Sequence, residues 1–465
     1  MRASLLVTLS LLVASTARAQ TPTGNEPVAA PLEPQLGAAL DVQRLADENA
    51  QLRARLDRLE ALVAEPRPAS PAVVPQPPAV SEPPVLQPTV LSELDYRRYS
   101  SDLEGNSGFA IARLRPGLLL APTPWFRGVA TFEFAGENPT ILDAYMRLRA
   151  ADWVEFTLGY SKPPMFASFT YEPVHTLPFP DRAPVVGSFG VLRDLGADVH
   201  FTPHQIPIEG WLRIGNGTGS PLGNDNALPA GYGSLDLVLG RAWIGSSSES
   251  QTFGLRLGGG AFVESAQDRD GITGRTPLGF VYFRPVVVSG LRVVGEGHVV
   301  AYAGPLRLTV EGAVARESRS RDDDGNPSTP RVELPTMQSY GLTSEVAWVL
   351  HGGRRDVGRA PRGQQRDDGA WGGGAVELAA RYDGMWLGRG ASDVREGGSQ
   401  GGALAVKWWP VDFLAASLAG YVTHYDAAPI EEPEQLWSWG IVARASFFWG
   451  LGPLAPRVTA EEAQR

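Results

Sequence analysis

Residues Glu155–Pro173 read EFTLGYSKPPMFASFTYEP. With Val154 added, the stretch opens as an alternation: Val154, Phe156, Leu158 and Tyr160 fall on one phase, Glu155, Thr157 and Ser161 on the other. A period of two is that of a strand whose two faces meet different surroundings. The alternation ends on Lys162 and Pro163-Pro164, where pairing must stop because proline cannot donate to a ladder. The next strand-like run begins near residue 195, so residues 162–194 form a 33-residue insert, far beyond hairpin length. Phe166, Phe169, Tyr171, Leu177, Phe179 and Phe189 give that insert apolar anchors. An apolar loop needs a wall to pack on, and the inside of a wide barrel supplies one. The stretch predicts a wall strand that turns into an inward filter loop, with Lys162 at its hinge.

The same period recurs to Trp449. Tyr340, Leu342, Val346, Trp348 and Leu350 oppose Thr343, Glu345 and His351, while Trp437, Trp439, Ile441, Ala443, Phe447 and Trp449 oppose Ser438, Arg444 and Ser446. Strands are expected near 91–100, 108–120, 125–135, 140–149, 153–161, 195–203, 207–215, 233–243, 252–263, 291–302, 305–315, 338–350, 373–385, 401–409, 412–424 and 437–449. That is sixteen, with 278–288 readable as one more. Tight connections (APTP, AAD, TPHQ, AGP, PVD) alternate with long ones at 162–194, 216–232, 264–290, 316–337 and 386–400, and the turn 351–372 is long for the tight side. Short turns at one end and long loops at the other, with an even count, are the signature of an outer-membrane barrel. The fold class is therefore all-β: a 16-stranded antiparallel transmembrane barrel over 91–449. Hydrocarbon offers no hydrogen-bond partners, so such a sheet must close, and sixteen strands enclose a lumen too wide for side chains to fill.

Composition agrees. Among 465 residues there are 53 Gly, 39 Pro, 12 Trp, 12 Tyr and no Cys, which suits a turn-rich β protein and excludes a disulfide scaffold. A formal charge of -10 argues against nucleic acid as a partner. Residues 1–19 read as a secretory signal: Arg2, an apolar run, then Ala17-Arg18-Ala19. After a flexible segment at 20–40, residues 41–65 carry heptads with Val42, Asn49, Leu56 and Val63 at one seam position and Leu45, Leu52 and Leu59 at the other. Leu45, Leu52, Arg55, Leu56, Leu59 and Glu60 are the candidate oligomerisation residues, with a trimer preferred over a dimer. Residues 66–90 form a Pro-rich linker, about 70 Å long at ~3.1 Å per residue for the stretch 66–88. Residues 450–465 are a C-terminal tail.

Several stretches resemble the phosphate-selective porins O and P of Gram-negative outer membranes: FAIARLRPGL (109–118), LDAYMRLR (142–149), TLGYSKPPMFASF (157–169), LRDLGADVHF (192–201), RIGNGTG (213–219), GPLRLTVEGAV (304–314), EVAWVLHGG (345–353), GAWGGGAVELAARY (369–382) and VARASFF (442–448). They occur in family order. The resemblance implies a homotrimeric porin in outer-membrane lipid, with the coiled coil in the periplasm and loops and one long periplasmic turn, here 351–372, folded into the lumen. It also implies small anionic solutes such as phosphate.

Selection in a channel rests on wall charge and constriction. Arg113 and Arg115 sit two apart on one strand, as do Arg147 and Arg149, making a ladder along the axis. Lys162, Arg182 and Arg193 flank or lie in the long insert, and Arg213, Arg381, Lys407 and Arg444 are further wall candidates. Glu133, Glu155, Glu209, Glu311, Glu345 and Glu377 share the lumen phase, so the bland alternative is that arginines pair with glutamates and only keep the wall wet. No cofactor and no catalytic residues are expected. His200 and His204 lack helical metal geometry, and no phosphate-cradling or nucleophile-elbow motif occurs. Asp322, Asp324, Asn326 and Glu333 fall at calcium-loop spacing, but Pro327 stands where the turn needs glycine, so a solvated acidic loop is the preferred reading. Two other functional classes stay open: a structural tether with a plugged barrel and a stalk contacting peptidoglycan, and a soluble periplasmic sandwich.

Overall fold

The computed structural model describes residues 50–55, 85–101, 104–203, 206–224, 228–240, 253–284, 286–322, 330–353, 355, 360–361, 372–429 and 434–450. The chain divides into two units, 1–80 and 81–465. In the first, residues 50–55 are helical with exposed side chains, among them Leu52 and Arg55. Leu45, Leu56, Leu59, Glu60, Asp324, Asn326, the signal segment and the C-terminal tail beyond Gly450 lie outside the described residues.

The second unit is a closed antiparallel barrel of sixteen strands. Its strands are β1 (Val85–Tyr99), β2 (Gly108–Thr123), β3 (Phe126–Glu133), β4 (Thr140–Ala151), β5 (Val154–Ser161), β6 (Asp194–Phe201), β7 (Ile208–Gly215), β8 (Ala230–Leu239) and β9 (Phe253–Asp270). After a separate small hairpin, β10 (Gly274–Arg275) and β11 (Val281–Phe283), the wall continues with β12 (Val287–Ala303), β13 (Leu306–Arg321) and β14 (Val332–His351). It ends with β15 (Ala375–Arg389), β16 (Gly397–Val411), β17 (Leu414–Tyr425) and β18 (Trp437–Trp449). β18 closes on β1 in register from Val90 opposite Trp449 to Tyr99 opposite Gly440. The stretch 278–288 thus supplies β11 and the start of β12 and adds no wall strand.

β1 begins at Val85, so residues 85–90 of the stretch read as linker are strand. Residues 85–89 pair with β2 alone, because β18 reaches only to Val90. Pro88 therefore sits on a free edge, where its missing N–H costs no ladder bond.

The alternating phases separate as the lipid argument requires. Leu118, Met146, Leu158, Leu212, Leu235, Leu257, Leu342, Leu404 and Leu418 point outward and are exposed. Outward aromatics bracket this belt. Trp125, Trp153, Trp348, Phe413 and Trp449 lie at the short-turn end, and Tyr96, Phe109, Tyr340 and Trp437 at the long-loop end. Such girdles mark the two interfaces of a membrane-spanning barrel. Among the described residues no helix is long and apolar enough to cross a membrane.

Candidate functional site

The connection from β5 to β6 enters the barrel, as its aromatics predict. It carries two short helices, Ala167–Thr170 and Pro184–Phe189, separated by a turn of 3-10 helix at Val174–Thr176. Phe166, Phe169, Phe179, Val185, Val186 and Phe189 are all buried. Gly341 on β14 makes the close approach possible: a Cβ there would stand 2.5 Å from Val185 Cγ2. The hairpin β10–β11 also folds inward, a feature missed in the sequence reading. Ile272 and Phe283 join the cluster formed by Met165, Val185 and Phe189, and the Ser399 hydroxyl on β16 donates to Tyr282 Oη at 2.7 Å.

The inward loop is tied to most of the wall. Ser168 donates from its backbone and hydroxyl to Glu311 on β13, at 2.8 and 2.6 Å. Tyr171 donates to Asp236 on β8 at 2.7 Å, and the Arg256 guanidinium lies 3.6 Å over its ring. Lys407 on β16 donates to the His175 and Leu177 carbonyls, both at 2.7 Å. Asp181 accepts from Arg113 on β2 at 2.6 Å, and Arg444 on β18 lies 3.4 Å from the same carboxylate. Arg381 donates to the Asp181 carbonyl at 3.0 Å and covers the Phe179 ring. Burial alone would raise Asp181, but the charges of Arg444, Arg113 and Arg97 outweigh it and hold the carboxyl well below its usual range.

The lysine at the start of the loop turns back on it. Lys162 donates to the Phe169 carbonyl at 3.0 Å, with its ammonium 4.8 Å from the Phe169 ring centre. Desolvation, and then the charges of Arg182 and Arg193, push its pKa well below that of a free lysine. His175 is buried, and desolvation followed by the Lys407 charge takes it down to about 3, so it sits in the loop as neutral imidazole.

From the opposite end, part of the long turn between β14 and β15 reaches the same place. Arg355 lies 3.4 Å from Glu377 and donates to the Thr176 carbonyl, and Ala360 and Val174 both pack against the cluster that holds Trp409. These described residues agree with the inward turn that the resemblance implies for 351–372.

The lumen is consequently divided. The pairs Arg213–Asp198, Arg256–Asp236, Arg307–Glu172, Arg355–Glu377 and Arg444–Asp95 have side chains only 0–4% exposed. On β2 to β5, and at the short-turn ends of β6 and β7, water still reaches the wall. Arg115–Glu133 (2.5 Å), Arg193–Asp143 (3.1 Å), Arg147–Glu155 (3.1 Å) and His200–Glu209 (2.9 Å) have side chains 12–19% exposed. Arg127 stands opposite Arg147 in the β3–β4 register, and neither the Arg127 nor the Arg149 side chain hydrogen-bonds or ion-pairs with a described residue. On this wall Arg115, Arg127, Arg147, Arg149 and Arg193 face Glu133, Asp143, Glu155 and Glu209.

The candidate residues thus fall into two groups. Arg115, Arg147, Arg149 and Arg193 lie on the water-reached wall. Arg113, Lys162, Arg182, Arg213, Arg381, Lys407 and Arg444 are held by carboxylates or by loop carbonyls. Arg127, Glu172, Asp181, Arg307 and Arg355 were missed. For Glu172 and Asp181 a signal existed, since an acid inside an apolar insert needs a cation across the lumen. Among the described residues no cluster of metal-ligating side chains is found, and of the calcium candidates only Asp322 and Glu333 are described.

No protein-family profile matches the chain, and no curated protein matches it. Solved structures of similar architecture include OmpT, an outer membrane protein of Vibrio cholerae in trimer form, at 11% identity and TM-score 0.49, covering 79% of this chain and 100% of that one. The anion-selective porin from Comamonas acidovorans matches at 10% and 0.47, covering 79% and 100%. The outer membrane channel DcaP of Acinetobacter baumannii matches at 10% and 0.47, covering 78% and 97%. The likeness is one of barrel architecture alone, which the strand register of this chain establishes by itself.

Proposed function

We propose that the protein is an outer-membrane diffusion channel in which small hydrophilic solutes pass along one wall, with a preference for anions. One observation carries this reading: the water-reached charges continue from Glu133, Asp143 and Arg193 near the long-loop end to Arg147, Arg149 and His200 near the short-turn end. Arginines outnumber carboxylates there although the chain as a whole is acidic, and Arg127 and Arg149 keep their donors for a passing anion such as phosphate. A homotrimer in outer-membrane lipid, with the segment 41–65 as a periplasmic coiled coil, accompanies the proposal. Reconstitution into planar bilayers tests it: ohmic single-channel steps support the channel.

The buried ion pairs on the wall from β8 round to β1 favour a second reading, a tether whose barrel is plugged and whose stalk contacts peptidoglycan. Folded protein that inserts but gives no steps would favour that reading instead.

A further inference from the structure

Two segments enter the lumen from opposite ends, and they meet at one carboxylate. Glu172 lies between the two short helices of the inward loop, is buried, and belongs to neither. Its Oε1 accepts from Arg307 Nη2 on β13 at 2.7 Å and from Tyr302 on β12 at 3.2 Å. Its Oε2 is buried with no hydrogen bond among the described residues, and Arg355 Nη2 from the opposite turn stands 3.8 Å away. Its backbone carbonyl accepts from Arg182 at 2.7 Å. Arg307 also reaches Glu345 on β14 at 2.5 Å, and Arg355 reaches Glu377 on β15.

The remaining anchors each hold the loop to wall strands alone. Ser168 and Tyr171 fix its first part to β13 and β8, and Asp181 fixes its tip to β2 and β18. Among the described residues, loop, wall and opposite turn share partners only around residues 172–177. The carboxylate of Glu172 faces two guanidinium groups, and without it Arg307 and Arg355 would each keep a single acid while confronting one another in a dry space.

We propose that Glu172 is the positioning residue of the constriction. Its charge draws the loop towards β12–β15 and the opposite turn, which leaves the water-reached passage on the β2–β7 side. The proposal rests on the channel reading for its effect on conductance, but the position of the loop can be measured separately. The chain has no cysteine, so Thr176→Cys, at a buried loop position, gives a single thiol for a bulky water-soluble maleimide. Glu172→Ala in that background is expected to label at least tenfold faster, with Glu172→Gln, which keeps the shape and loses the charge, in between. In bilayers, Glu172→Ala is expected to change single-channel conductance by at least twofold and to raise open-channel noise, in barrels that still show heat-modifiable gel mobility. Faster labelling in a protein that never conducts would uphold the positioning role and remove the channel reading. Labelling unchanged in both variants would overturn the positioning role, whatever the conductance.

Discussion

Arg113 on β2 and Asp181 in the inward loop stand 68 positions apart in the chain and 2.6 Å apart in space. Arg113 also donates to the buried carboxylate of Glu93 on β1. A side chain on the lumen phase has therefore become a clamp on the loop tip. Breaking a buried ion pair from one side costs about 3–5 kcal/mol, and the partial exposure of this one places Arg113→Ala towards the lower figure. The variant is expected to lower the melting temperature of the folded barrel and to enlarge its conductance. An unchanged conductance would remove Arg113 from the clamp.

Selectivity is expected to follow Arg127 and Arg149, whose side chains pair with no described residue. Arg127→Glu combined with Arg149→Glu should move the reversal potential in a KCl gradient towards cations. Arg381→Gln, in the dry half, should leave it close to the parent value. A parent that already prefers cations would refute the anion preference.

Acid should loosen the loop through His175. Above about pH 6.5 the imidazole is neutral whether the loop is docked or free, so it has no effect on stability. Between that value and about 3 a displaced loop binds a proton that the docked loop refuses. Stability therefore falls by about 1.4 kcal/mol per pH unit, at most about 5 kcal/mol. His175→Phe should flatten this part of the profile, measured as protease cleavage of the loop between pH 7 and 4. A parallel profile for the variant would show that other groups control the response.

The outward face should refuse charge. Leu404 on β16 is 70% exposed and lies in the apolar belt. Leu404→Arg is expected to cost about 2–4 kcal/mol near the bilayer midplane and to lower the yield of folded barrel in vesicles. The neighbouring phase behaves differently. Ala403 faces inward among Phe179 and Tyr421, so enlarging it should disturb the loop and leave insertion intact.

The strands were legible because lipid on one side and loop or water on the other impose a period of two that survives any detail of packing. The inward loop was legible because Phe166, Phe179 and Phe189 have no other place to go. Pair identity was not. Arg113 and Arg115 look alike in the sequence, yet the first meets Asp181 and Glu93 while the second meets Glu133. That difference arises from where a 32-residue excursion between β5 and β6 lands, which no local spacing encodes. The hairpin β10–β11 escaped for a related reason: Ile272, Leu278 and Phe283 are too few to announce a buried loop, and Ile272 and Phe283 are buried, with Leu278 partly so, because the first loop is already there.

The seam of the barrel carries one more consequence. β1 and β18 meet across almost the whole length of the wall, and beside that seam the carbonyl of Pro180 accepts from Arg113 on β2 and from Arg444 on β18. Arg444 in turn holds Glu93 and Asp95 on β1. The inner loop is thus stitched to both sides of the joint. A cylinder that joined its first and last strands with the loop still outside would leave these cations and carboxylates without their shared partner. Joining the ends and filling the interior therefore favour one another, and assembly becomes a single cooperative act in which the constriction helps to make the ring.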